Sequence, residues 1–279
     1  MRQRVTSLES APLYTDDSYL LLDGLRLNVP VLTYTLDQHP RIEPLFRGTR
    51  HASVIQASPW LVKPSAAGRL LSECAAWQQY GLVLNSSATI QDLADHLRSL
   101  ISISMPTGQL AYCRFYDPGW AIRLFNSMTR SEFSTWSGPI QKWLVCSEGD
   151  WYRYDNLDQA CNRSASEEGW YRLRQEQLEQ WQQQEYRSFL TRAAEYLGCT
   201  EGQPDYCQQY ERIDQLTRQV QSYGLTMEHQ ILHYLELAWR FPDEMNSRYW
   251  VQHFANREQD AELRLSLAEQ RLFGLEGST

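Results

Sequence analysis

The chain has 279 residues, of which 42% are apolar, 12% aromatic and 22% charged. This is the composition of a globular protein, not a disordered or fibrous one, and the length suits one large domain or two. Its 26 Lys and Arg against 34 Asp and Glu give a net charge of −8, which argues against nucleic acid as a partner, because backbone binding draws its affinity from basic stripes that displace counterions.

The charge is unevenly placed: residues 1–160 carry −1 and residues 161–279 carry −7. With the polar stretch at 162–166, this step sets the expected boundary between two lobes, 1–160 and 161–279. Met1, Arg2, Gln3 and Arg4 do not lead into the apolar run of ~7–15 residues that a signal peptide needs. No segment approaches the ~20 apolar residues of a membrane span, so a cytoplasmic location away from membranes is expected. The six cysteines (Cys74, Cys113, Cys146, Cys161, Cys199 and Cys207) form no C-x-x-C pair and read as thiols in a reducing compartment. Cys199 and Cys207 are near enough in sequence to meet, but no disulfide is expected.

In chain order, Tyr19 to Gly24 is a short apolar run closed by Asp23-Gly24, and residues 58–62 and 81–85 repeat the pattern. Such unalternating, turn-bounded runs fit strands covered on both faces. Helical spacing is read over 68–80, where Leu71, Cys74 or Ala75, and Gln78 recur. A second helix is announced by Thr89-Ile90-Gln91-Asp92, whose Thr hydroxyl and Asp carboxylate suit an N-terminus, and Leu93, Leu97, Leu100 and Ile101 follow. Residues 111–116 read as a strand with Ala111, Cys113 and Phe115 on one face and Tyr112, Arg114 and Tyr116 on the other. Asp117-Pro118 then opens a helix, aspartate as cap and proline at the first position. Arg114, flanked by tyrosines, calls for a carboxylate partner, with Asp23 and Asp117 the candidates, and this set is read as scaffold because it includes no nucleophile or base. Thr129 to Glu132 is another capping box; Gly138-Pro139 opens a strand through Trp143, Leu144 and Val145; and 151–154 reads as an edge strand.

Strand signals cease near Glu167. Leu178, Trp181, Tyr186, Phe189, Ala193 and Leu197 mark one helix stopped by Gly198, and Tyr206, Tyr210, Ile213 and Tyr223 mark a second ended by Gly224. Thr226 is read as the cap of a third that Pro242 stops, and a single fourth helix is expected from Trp250 to Leu272, ending at Gly274. The fold class is therefore α+β: an N-terminal mixed α/β lobe with a short-stranded sheet and flanking helices, then a C-terminal all-α lobe packed as a small bundle.

Catalytic templates fit poorly. His229 and His233 stand one helical turn apart, with Glu236 a turn on, in the manner of a zinc helix. Gln230 occupies the place of the general-base glutamate, however, so a metal-dependent hydrolase built on His229 and His233 is only the alternative reading. No G-x-G-x-x-G, G-x-x-x-x-G-K or G-x-S-x-G run occurs. No catalytic, cofactor or metal residues are assigned, and an enzyme is not expected.

Taken in order, the blocks at 20–24, 59–62, 81–84, Arg114-Phe115-Tyr116-Asp117-Pro118, and Gly138-Pro139 before Trp143-Leu144 resemble the domain shared by bacterial type VI secretion effector adaptors, also called Tap or TEC chaperones. The resemblance covers about residues 16–147, and the run from Arg114 to Pro118 is its most specific part. It marks Asp23, Gly24, Trp60, Arg114, Phe115, Tyr116, Asp117, Pro118, Gly138 and Pro139 as motif or scaffold residues. It implies a non-enzymatic accessory protein with a variable second lobe. Such a protein binds a cognate toxic effector in the cytoplasm of the producing cell and promotes its loading onto the C-terminal region of the spike-tip protein VgrG, in the service of competition between bacteria. Large aromatics anchor many protein interfaces, which makes Trp181, Trp239 and Trp250 partner-binding candidates, although the period of Trp181 and Trp250 suits a core.

Overall fold

The computed structural model describes residues 2–5, 17–158 and 160–276. The chain divides into two compact units, Met1–Trp181 and Gln182–Thr279. The division falls past the polar stretch that suggested a boundary at 160, because Tyr171, Leu173 and Trp181 are buried in the first unit's core.

The first unit is built on a seven-stranded sheet. Its strands are Arg2–Val5 (β1), Ser18–Asp23 (β2), Arg41–Pro44 (β3), Pro59–Lys63 (β4), Gly81–Asn85 (β5), Lys142–Ser147 (β8) and Asp150–Asp155 (β9). Their order is β1-β9-β8-β5-β2-β4-β3, and every pairing is antiparallel. The segment at 151–154, expected at the edge, lies inside it because β1 pairs along its outer side. Ser102–Ser104 (β6) and Leu110–Tyr112 (β7) form a separate hairpin.

Antiparallel sheets often leave one face to water, but here both faces are covered, and side-chain alternation divides the strands between two cores. Tyr19, Leu21, Leu61, Leu82, Leu84, Trp143 and Val145 point to one side. There they meet helices Ile90–Ser99 (α2), Pro118–Ser127 (α3) and Arg130–Ser137 (α4). Leu20, Leu22, Val62, Val83, Leu144 and Cys146 point to the other, against Val29 of helix Val29–Leu36 (α1), Leu70 and Trp77. This two-sided burial is why the strands read as unbroken apolar runs.

Three expected elements differ. Residues 68–80 are turns with a single 3₁₀ turn at Cys74–Ala76; the Trp77 indole donates to the Leu70 carbonyl at 2.7 Å, claiming an acceptor that a helix would give to residue 74. The strand expected over 111–116 stops at Tyr112, after which Asp117 N–H bonds the Arg114 carbonyl at 2.8 Å. The chain turns there because Asp117 must reach its capping position ahead of Pro118. The long last helix is broken, as described below.

The second unit is helical. Helix Gln175–Tyr196 (α5) begins in the first unit and ends in this one. Tyr206–Ser222 (α6), Glu228–Arg240 (α7), Pro242–Met245 (α8), Arg248–Ala255 (α9) and Ala261–Glu276 (α10) follow. Their core includes Phe189, Ala193, Ile213, Val220, Tyr234, Leu235, Trp250, Phe254, Leu265 and Leu272. The stretch from Trp250 to Leu272 is two helices because Asp260 starts a new one, its carboxylate accepting the N–H groups of Glu262 and Leu263. Gly274 lies within α10, and Met227, not Thr226, holds the N-cap position of α7, where the Gln230 side chain accepts its N–H. Cys199 and Cys207 are both free thiols, one buried and one exposed. No helix among the described residues is long and apolar enough to cross a membrane.

Candidate functional site

The motif residues from three separate parts of the chain gather at the C-terminal end of β2. Asp23, the last residue of that strand, is only 2% exposed. One carboxylate oxygen accepts the N–H of Leu25 at 2.8 Å, and the other accepts the Arg114 guanidinium at 3.0 Å. Arg114 also stands 3.7 Å from Asp117, so both carboxylates considered from the sequence serve it. Asp117 in turn caps α3 by accepting the Trp120 N–H at 2.9 Å, with Pro118 in the first turn. Gly24 has no room for a side chain: a Cβ there would lie 2.1 Å from the Ser58 carbonyl and 2.9 Å from the Trp60 indole.

Tyrosines complete the cluster. The hydroxyls of Tyr112 and Tyr116 are hydrogen-bonded at 2.9 Å, and the Arg114 guanidinium lies 5.9 Å from the centre of the Tyr116 ring. Burial works against the Arg114 charge, but Tyr116, Asp117 and Asp23 outweigh it and raise its pKa. Burial pushes the Tyr112 phenol up, and its hydrogen bond to Tyr116 adds to it. Burial likewise raises Tyr116. At neutral pH the cluster thus sets a fixed cation between two carboxylates and beside neutral phenols, an arrangement that anchors chain segments.

Phe115 faces inward, fully buried, with its ring centre 6.1 Å from that of Trp136. Through Trp136 it connects to the second group of motif residues. Gly138 adopts φ +52°, and a Cβ there would lie 2.4 Å from the His96 ring, while the carbonyl of Pro139 accepts the Ser86 hydroxyl at 2.8 Å. His96 is fully buried. Its Nδ1 accepts the Arg163 N–H at 3.3 Å, which leaves Nε2–H to donate to the Trp136 carbonyl at 2.9 Å. Burial, only partly offset by that carbonyl, lowers its pKa to about 4. His96 was not evident from the sequence; the glycine that makes room for it was visible, but its neighbour 42 residues away was not.

The tryptophan candidates divide. Trp181 is buried with its ring centre 5.2 Å from that of Trp120, and Trp250 is buried in the helical core, so both serve packing. Trp239 is half-buried, with the Arg212 guanidinium 4.8 Å from its ring centre. His229 and His233 do not converge on one point: Nε2 of His229 bonds Glu262 at 2.9 Å, and Nε2 of His233 lies 3.5 Å from Glu269. Among the described residues no three His, Cys, Asp or Glu side chains are grouped to hold a metal ion. The hydrolase reading has no support here.

Fold and site together define an α+β domain in which Arg114, held by Asp23 and Asp117, ties the end of β2 to the start of α3, followed by a helical domain. Residues 18–135 match the family model described as a domain of unknown function, DUF4123. No curated protein and no solved structure matches the chain.

Proposed function

We propose that this chain is a type VI secretion effector adaptor: a non-enzymatic cytoplasmic protein that binds a cognate toxic effector and promotes its loading onto the VgrG spike tip. The observation that carries this reading is the position of the family match, residues 18–135. It falls on the same block, 16–147, whose ordered motifs resemble the adaptors. The site agrees in kind, because Arg114 is held between two carboxylates and secures the junction of β2, the Arg114–Asp117 turn and α3. A secured junction of this sort keeps a protein-binding surface in shape.

The reading is tested by co-purification. The tagged chain is expected to retain the effector encoded beside its gene and the C-terminal region of the neighbouring spike protein. Failure to bind either at micromolar concentration would sink it.

A further inference from the structure

Two cations face each other across β3 and β4. Arg41, the first residue of the edge strand β3, is the register partner of Lys63, the last residue of β4. Opposed residues project to the same side of a sheet with their Cα atoms about 5 Å apart, and here that is the side on which Tyr19 and Leu61 meet α2. The Lys63 ammonium lies 4.9 Å from the centre of the buried Tyr19 ring and donates to the Tyr19 hydroxyl at 3.5 Å, and that hydroxyl donates to the Ala88 carbonyl at 2.7 Å. The Arg41 guanidinium is exposed and donates to the Gln91 side chain at 3.5 Å. Neither cation is paired with a carboxylate among the described residues.

The acids around them are already engaged. Glu43 is shared by Arg98 at 2.6 Å and Arg47 at 3.2 Å, and Asp95 holds a second nitrogen of Arg98 at 3.0 Å. Asp37 is buried and accepts the N–H and hydroxyl of Ser65 and the N–H of His39. Asp92 accepts the Thr89 hydroxyl at 2.7 Å within the cap of α2. Charge on an edge strand deters pairing with another chain, which accounts for Arg41. It does not account for Lys63, because β4 is paired on both sides. Like charges set directly opposite each other weaken a strand pair, so Arg41 and Lys63 work against the β3–β4 pairing until an anion lies between them.

We propose that Arg41 and Lys63 form a carboxylate-binding site for an acidic segment of a protein partner. The class of occupant follows from the charge. Two unneutralised cations suit one or two carboxylates, whereas nucleic acid or an anionic membrane calls for a basic stripe, and here Glu43, Asp92 and Asp95 flank the pair and would repel an extended polyanion.

The test uses the full-length chain and a fluorescently labelled hexaglutamate peptide, with hexaglutamine as the uncharged control. At about 50 mM salt, where surface charge is weakly screened, hexaglutamate is expected to bind and hexaglutamine not. Arg41→Gln and Lys63→Gln are each expected to weaken binding about threefold and the double variant about tenfold. The chain's only two lysines are Lys63 and Lys142, which supplies a readout that needs no variant: acetylation of Lys63 should slow when hexaglutamate is added, while that of the exposed Lys142 stays as it was. Equal affinity of wild type and double variant, with Lys63 unprotected, overturns the site. A melting temperature lowered by Arg41→Gln at unchanged hexaglutamate affinity makes the pair scaffold and overturns it as well. Tighter binding of a single-stranded oligonucleotide or of phosphatidylserine vesicles than of hexaglutamate, lost in the double variant, overturns the acidic peptide by giving the site to that polyanion. Each of these outcomes leaves the adaptor reading standing, since co-purification decides that separately.

Discussion

Asp23 and Arg114 are an unequal pair: the carboxylate is buried and the guanidinium is 37% exposed. Removing the cation therefore strands a buried charge, while removing the carboxylate mainly releases a half-solvated one. Arg114→Ala is expected to lower stability by about 1–3 kcal/mol, read as a fall in the urea midpoint. Unchanged stability with lost effector binding would instead make Arg114 a contact residue. Gly138 and Gly108 both have positive φ, yet only at Gly138 does a Cβ collide with a neighbour. Gly138→Ala is thus expected to cost more than the ~1 kcal/mol of backbone strain expected for Gly108→Ala, and paired thermal melts would reveal the difference. His96 makes a pH prediction. Its folded pKa of about 4 lies below the ordinary 6.5, so between those values the unfolded chain takes up a proton that the folded ring refuses. Stability should fall by about 3 kcal/mol as the pH drops through that window and level off below it. His96→Gln should remove this component of the slope, Arg163 and Glu167 being the charged groups that act on the ring.

At the scale of elements, what the sequence displayed was local chemistry. The caps at Thr89, Asp117 and Thr129 are formed as their spacing predicts. The capping box at α4 is complete, Thr129 accepting the Glu132 N–H and Glu132 accepting that of Thr129. Thr129→Ala is expected to cost about 1 kcal/mol, and Asp117→Ala more, because the same carboxylate also faces Arg114; chemical denaturation of the two variants side by side would rank them. Periodicity alone misled at 68–80, where Trp77 reaches a backbone carbonyl that a helix requires, and at 113–116, where the turn needed by Asp117 ends the alternation. The burial of Asp23 against Arg114 could be anticipated from the isolated arginine between tyrosines. The pairing of Tyr171 and Leu173 with Ser104 could not, since it joins segments far apart in the chain.

At the scale of the whole molecule, each unit has its own core. Residues 182–279 hold nine arginines against fifteen Asp and Glu, a net −6. If this acidic unit contributes to effector capture, raising salt from about 50 to 500 mM should weaken the complex, since screening shortens the reach of exposed charge; salt-independent affinity would assign capture to apolar contacts. Strand order bears on manufacture as well as on binding. Because β1 lies beside β9, and β5 beside β8, Arg2–Val5 have no strand partner until synthesis has passed residue 150. At ordinary translation speeds that wait is on the order of 10 s. For the later part of it, once Gly81–Asn85 has been made, the apolar ribbon of β2 and β5 lacks β8 and is exposed to misassociation. Yield in the cell should therefore depend on synthesis rate and chaperone supply more steeply than the stability of the finished protein would suggest.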